Sequence, residues 1–181
     1  LSYLLLVQTG KDEQKLYAYR SWSNINVIKE KKHAGFSNYI INPYPAQIIK
    51  LEKLLNGETI ALATTGLFNF KNDAFTKIHI NGFKDTNVYC LTEGDDGSYF
   101  IGTKGMIYRI KNNNVVQQYK INLYLDNNEV AAILRDRNNN LWFSIMNKGF
   151  FLIPDGSDKI IDMGSKMDLQ NTLVNNYLED N

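Results

Sequence analysis

The side chains able to do chemistry in this 181-residue chain are few and scattered. His33 and His79 are the only histidines, and neither has a carboxylate or cysteine at a spacing that would complete a metal site or a proton-relay pair. Cys90 stands alone, which excludes an internal disulfide framework and a thiolate-based metal site. No G-x-S-x-G nucleophile elbow is present. The clusters GDDG at Gly94–Gly97 and DRNNN at Asp136–Asn140 offer oxygen ligands, but an EF-hand loop spreads its ligands over about twelve residues and closes on Glu. Asx and glycine turns account for both clusters. No cofactor and no metal is therefore expected. The remaining candidates suit recognition: Thr65, Asp85, Asn87, Lys104, Asn128, Glu129, Asn147 and Lys148 carry groups that hydrogen-bond to the hydroxyls of a polar ligand.

What places these residues together is a repeat. Gly66, Gly105 and Gly149 follow apolar strands and lie 39 and 44 residues apart; the strand centres Ala61, Phe100 and Trp142 lie 39 and 42 apart. The difference puts two extra residues in the loop IMNK before Gly149, where an insertion leaves the strands in register. Each unit runs through an apolar segment (QIIKLEKL, NVYCLTEG, EVAAILRD), a turn cluster, a β-rich strand (TIALATT, YFIGT, LWFSI), a glycine-led strand (GLFNFK, GMIYRIK, GFFLIP) and a weaker fourth segment (FTKIHI, VVQQYKI, DKIIDM). Four short strands recurring about every 40 residues predict a β-propeller blade. The fold class is all-β, an incomplete arc of four-stranded blades.

The expected blades cover residues 1–46, 47–86, 87–128 and 129–172, with 173–181 opening a truncated one. Residues 1–46 form the divergent blade, with strands at YLLLVQT, KLYAYR and INVIKE. Ala46–Leu55 also fits helical spacing, but its equivalents in the other units read as strand. In LVNNYLEDN, Val174, Tyr177 and Asp180 match Val130, Ile133 and Asp136, so the chain is read as cut inside a blade. Its start at Leu1, with no signal region, reads as an excised or processed segment. With the first strand of each blade innermost, the loops between strands two and three and those linking blades gather on one face, and the eight candidates all lie in those loops. Trp142 and Phe100 are tempting sugar platforms, but their mid-strand position makes them core between blades; Tyr99 and Phe143 alternate with them.

Composition limits the partners. Lys and Arg number 20 against 19 Asp and Glu, for a formal charge of +1, so nothing points to nucleic acid or an anionic membrane. The longest early apolar run, Leu4–Val7, falls far short of the roughly 18 residues of a membrane helix. Hydrophobic residues make up 44% of the chain, ample for a packed core.

The phrases NVYCLTEGDDGSYFIGTKGMIYR and NEVAAILRDRNNNLWFSIMNKGFF resemble the two-component regulator propeller repeat. Asn87, Val88, Glu93, Gly97, Ile101, Gly102, Thr103 and Gly105 match in one repeat, and Val130, Ile133, Asp136, Leu141, Trp142 and Gly149 in the next. The pattern departs at Ser144-Ile145 and Ala63-Thr64, where Gly-Thr is usual. The resemblance implies the periplasmic sensor region of a hybrid two-component system, in which many members detect oligosaccharides and control carbohydrate-utilisation genes. The whole protein would then be a histidine kinase, but no kinase or receiver residues occur here, and this segment is expected to perform no reaction. Neighbouring propeller blades, an oligosaccharide ligand and a second copy of the chain are the implied partners, the last because an unclosed arc exposes blade faces and edges. Two other readings stand beside it: blades that only brace a neighbour or mediate dimerisation, and a streptogramin-lyase-like enzyme using His33 or His79.

Overall fold

The computed structural model describes residues 2–10, 13–20, 25–31, 35–41, 46–121 and 128–167; His33 and the phrase LVNNYLEDN lie outside them. The described strands form four antiparallel sheets, each of four strands taken in chain order. The first holds β1 (Ser2–Gly10), β2 (Glu13–Arg20), β3 (Ile25–Lys31) and β4 (Gly35–Ile41). The second holds β5 (Ile48–Lys53), β6 (Thr59–Ala63), β7 (Gly66–Lys71) and β8 (Ala74–Lys77). The third holds β9 (Cys90–Glu93), β10 (Tyr99–Gly102), β11 (Met106–Lys111) and β12 (Asn114–Lys120), and the fourth β13 (Val130–Arg135), β14 (Leu141–Ile145), β15 (Gly149–Ile153) and β16 (Ile161–Asp162). A single turn of helix, α1 (Met163–Lys166), follows β16; Asp162 caps it by accepting from the Ser165 N–H at 2.8 Å, which stops the fourth strand of that sheet after two residues. Strand β4 has no counterpart among the three segments expected in residues 1–46, because GFSNYII opens on turn-forming residues.

Two compact units result, Leu1–Lys77 and Ile78–Asn181. In the first, Tyr17 and Ile25 of one sheet join Ile48, Leu51, Ala61, Ala63 and Phe70 of the other in a shared core. Tyr17 meets Phe70 edge-on at 5.0 Å and donates its hydroxyl hydrogen to Asp73 at 2.7 Å. In the second unit Phe100 and Ile107 pack with Val130, Ile133, Leu141, Phe143, Ile145, Phe151 and Ile153. The alternation of β14 is plain: Leu141, Phe143 and Ile145 are buried, while Trp142 between them is only half-buried. Full burial of a side chain such as Phe143 contributes about 1.5–3 kcal/mol. Residues 46–55 are strand and turn rather than helix, since Lys53 pairs with Thr59 and Leu51 with Ala61.

Strand pairing sets the period. Lys53, Glu93 and Arg135 stand opposite Thr59, Tyr99 and Leu141, so first and second strands repeat at 40 and 42 residues. Gly66 pairs with Ala63 and Gly149 with Ile145, whereas Thr103 is closed by Met106 at 2.9 Å. Gly105 is thus not the counterpart of Gly66 and Gly149. It is the turn residue before the strand, at φ +75°, where glycine avoids the Cβ penalty. On this register the Met146-Asn147-Lys148 loop is longer by one residue, not two, and Leu62-Ala63 rather than Ala63-Thr64 stands where Gly102-Thr103 does. The outer hairpins turn on Asn72-Asp73 and Asn112-Asn113, each residue at φ between 50° and 62°, as a two-residue hairpin of the primed type requires.

Gly102 answers a different need, since its φ is ordinary. A Cβ there would lie 2.5 Å from Cys90 Sγ and 2.7 Å from the Val130 side chain of the next sheet. The turns at the opposite strand ends are held by carboxylates. Asp136 accepts from the Asn138 and Asn140 N–H groups at 2.9 Å each, from Asn140 Nδ2 at 3.0 Å and from Trp142 Nε1 at 2.8 Å. Burial alone would raise its carboxyl, but these donors outweigh burial and hold it below the usual carboxylate range. Asp96, in the equivalent turn, is held far lower by Lys111, Ser98 and Arg109. Being exposed, that cluster adds little to stability.

Two measurements check this packing. Gly102→Ala is expected to lower stability in urea unfolding by about 1–3 kcal/mol through overpacking, whereas Val116→Ala on the exposed edge of β12 changes it by less than about 0.5 kcal/mol; equal effects would contradict the close approach of Val130. Asp136→Ala is expected to cost about 1–3 kcal/mol at neutral pH. Because the folded carboxyl titrates below the unfolded one, this contribution is fully present above about pH 4 and is lost as pH falls through the lower folded value. Wild type and variant should therefore converge in acid, and a gap that stays constant would contradict the assignment.

Candidate functional site

The linker between the third and fourth sheets is tied to the hairpin that joins β10 and β11. Val130 N–H donates to the Thr103 carbonyl at 3.2 Å, Gly105 N–H to the Asn128 carbonyl at 2.8 Å, and Ile121 N–H to the Gly105 carbonyl at 2.9 Å. Lys104 and Glu129 face each other across an antiparallel bridge at this seam. Lys104 therefore extends from a braced two-residue turn with its side chain exposed.

A side-chain relay crosses the same end of the unit. Asn87 Nδ2 donates to Tyr89 Oη at 3.1 Å, and the Tyr89 hydroxyl donates to Glu129 Oε1 at 2.9 Å. Burial, reinforced by Glu129, raises the phenol, while the Asn87 amide acts against that rise. Tyr89 thus stays a neutral donor at physiological pH. Sequence reasoning passed over Tyr89. Its signal was available: the structure puts it in step with the apolar Ile49 and Ala131, one residue past Val88, the counterpart of Ile48 and Val130, so a hydroxyl there is out of place in the repeat.

Of the eight expected site residues, Asn87, Lys104, Asn128 and Glu129 come together at this seam. Asn128 turns inward: its Nδ2 donates to the Ile121 carbonyl at 3.4 Å and its Oδ1 is buried without a hydrogen-bond partner. Asp85 is exposed in the approach to Asn87. Asn147, exposed at φ +60°, and Lys148, whose N–H donates to the Ile145 carbonyl at 3.0 Å, form the corresponding turn of the fourth sheet. Thr65 belongs to the first unit, half-buried in the turn between β6 and β7.

The other candidates have structural surroundings. Phe100 is buried in the core of the second unit, as expected of it, but Trp142 is not; Phe143 takes the core position and Trp142 lies on the other face of β14, bound to Asp136 and stacked on Phe150 at 6.5 Å. Strand alternation forces that division, because neighbours on β14 point to opposite faces. His79 is exposed just after β8 ends. Among the described residues no group of three or more His, Cys, Asp or Glu side chains is placed to hold a metal ion.

Residues 124–147, which include Asn128, Glu129 and Asn147, match the two component regulator propeller repeat. No curated protein sequence matches the chain. Among solved structures, the chain is similar to the extracellular domain of a B. thetaiotaomicron protein described as a one component system, with TM-score 0.63 and 14% identity over 91% of this chain and 27% of that one. It is similar to the extracellular domain of a B. thetaiotaomicron protein described as a hybrid two component system, with TM-score 0.52 and 13% identity over 83% and 26%. Virginiamycin B lyase from Staphylococcus aureus, in a catalytically inactive form with quinupristin, matches with TM-score 0.57 and 18% identity over 89% of this chain and 59% of the lyase. The chain thus spans less than two thirds of each of these proteins. Among the described residues no helix is long and apolar enough to cross a membrane. The chain has an all-β, propeller-type fold and carries the two component regulator propeller repeat.

Proposed function

We propose that this chain is part of the periplasmic ligand-sensing region of a hybrid two-component system that detects an oligosaccharide and controls carbohydrate-utilisation genes. The observation that carries the reading is the coincidence of the repeat match with the polar seam: Asn128 and Glu129 belong to the matched residues, the Asn128 carbonyl accepts from the Gly105 N–H of the Lys104 hairpin, and Glu129 stands opposite Lys104 across the bridge. Lys104 offers donors, Glu129 a carboxylate with acceptor capacity left beside Tyr89, and Asn87 an amide, a set that reads sugar hydroxyls as donors and acceptors. The chain carries out no reaction. Bound sugar biases the packing of blades, and parts of the protein beyond this chain carry the signal onward.

A second reading, blades that serve only as scaffold, is favoured by one feature. Asn128 is turned toward the backbone of its own linker, and Asn87 and Glu129 are already engaged with Tyr89, so part of the polar set is occupied by internal bonds. Calorimetric titration of plant, host and microbial oligosaccharides into the intact periplasmic region separates the two. Under the sensing reading Lys104→Ala and Asn87→Ala each weaken binding about tenfold, the loss of one good polar contact. Binding that ignores both changes assigns these blades to scaffold.

A further inference from the structure

The two ends of the second unit treat their cations differently. At the end that carries the Gly94–Ser98 turn they are matched: Asp96 takes Lys111 at 2.8 Å and Arg109 at 3.0 Å, and Asp95 stands 3.0 Å from Arg135. At the seam end lie Lys104, Lys148 and Lys120, the last opposite Met106 where β11 begins. Among the described residues none of these three ammonium groups has an ion-pair partner. The acids of this end, Asp85 and Glu129, are both already engaged.

For Lys104 the backbone leads one to expect otherwise. The bonds from Val130 N–H to Thr103 and from Gly105 N–H to Asn128 flank the Lys104–Glu129 bridge, which makes it the narrow kind of antiparallel pair, in which facing side chains come closest. An ammonium and a carboxylate so placed attract one another. Glu129 instead gives Oε1 to the Tyr89 hydroxyl at 2.9 Å, and Asn87 Nδ2 holds that hydroxyl from behind at 3.1 Å. A hydrogen bond to a charged group in part-buried surroundings outweighs an ion pair made by an exposed side chain. Tyr89 therefore wins the carboxylate, and the Lys104 ammonium stays available. Lys148 adds a second one nearby, since the Met146 N–H that opens its turn donates to the Glu129 carbonyl at 3.0 Å.

A neutral sugar leaves both ammonium groups to water. A sugar with an anionic group meets them, and its hydroxyls still find acceptor capacity on Glu129 and an amide on Asn87. We propose that the seam selects an oligosaccharide bearing a carboxylate or sulfate, which Lys104 and Lys148 bind while Tyr89 holds Glu129 away from Lys104. This rests on the sensing reading of the seam and adds to it the charge of the ligand and a positioning role for Tyr89.

Calorimetric titration of the intact periplasmic region tests it, with trimers of galacturonate, mannuronate and glucuronate, their carboxyl-reduced neutral counterparts and 6-sulfated glucose trimers as probes. An acidic trimer is expected to bind about tenfold more tightly than its neutral counterpart, and that ratio to shrink as salt is raised from about 0.1 M to about 1 M. The uronate and sulfate arms show which anion is preferred. Lys104→Gln, which keeps a donor and loses the charge, should erase the ratio, and Lys104→Arg should retain it. Tyr89→Phe should narrow it, because Glu129 then turns to Lys104. Equal binding of acidic and neutral trimers, binding of neutral trimers alone, or a ratio unchanged in Lys104→Gln overturns the proposal; if Asn87→Ala still weakens binding, the seam remains a site for neutral sugar. Acidic trimers that bind regardless of both Lys104→Gln and Asn87→Ala, or no binding by any probe, overturn the proposal, and the former outcome also removes the seam as a sugar site.

Discussion

The second unit depends on the backbone bonds between residues 128–130 and the turn at 103–105. A blade cannot bury its own hydrophobic face, so each sheet needs the next one seated at a fixed distance. Val130 N–H to Thr103 and Gly105 N–H to Asn128 set that distance, and Gly102 permits it because any Cβ would strike Val130 and Cys90. With the sheets seated, Phe100 meets Phe143 and its neighbours in one core, and Asn87, Tyr89 and Glu129 fall within hydrogen-bond reach. Packing and the polar seam thus rest on the same few backbone contacts.

The two ends of this unit differ in chemistry for a topological reason. In a four-stranded meander the first and third turns lie at one end and the second turn, with the linker, at the other. At the first end the turns repeat an acceptor carboxylate, Asp96 or Asp136, that gathers nearby donors. At the other end the linker crosses between sheets beside the β10–β11 and β14–β15 turns, which use the left-handed residues Gly105 and Asn147.

Much of this was legible in the sequence. Four-strand units of about 40 residues, polar Asn and Asp turns and, among the described residues, the absence of long helix all follow from patterning, since alternation and turn chemistry are local. Register was less legible. Glycines invited an alignment of Gly105 with Gly66 and Gly149, yet Gly105 serves a turn and the other two begin strands, a distinction made by cross-strand pairing and invisible to composition. Trp142 misled for a similar reason: a one-residue difference on a strand exchanges the core face for the opposite one, and Phe143 holds the core. At the candidate site, Lys104 and Glu129 were found because linker and turn residues were expected on one face, whereas Tyr89 was missed because it stands among apolar positions of the repeat. The short β16 was obscured because Asp162 can end a strand by capping a helix.

Hydrogen exchange of the intact protein with and without an oligosaccharide, screened from plant, host and microbial sources, tests the central claim most directly. The seam account predicts that a bound oligosaccharide slows exchange at the amides of Gly105, Val130 and Met146, whose bonds tie the turn, the linker and the fourth sheet together. Slowed exchange elsewhere in the protein with these three amides unchanged would contradict it.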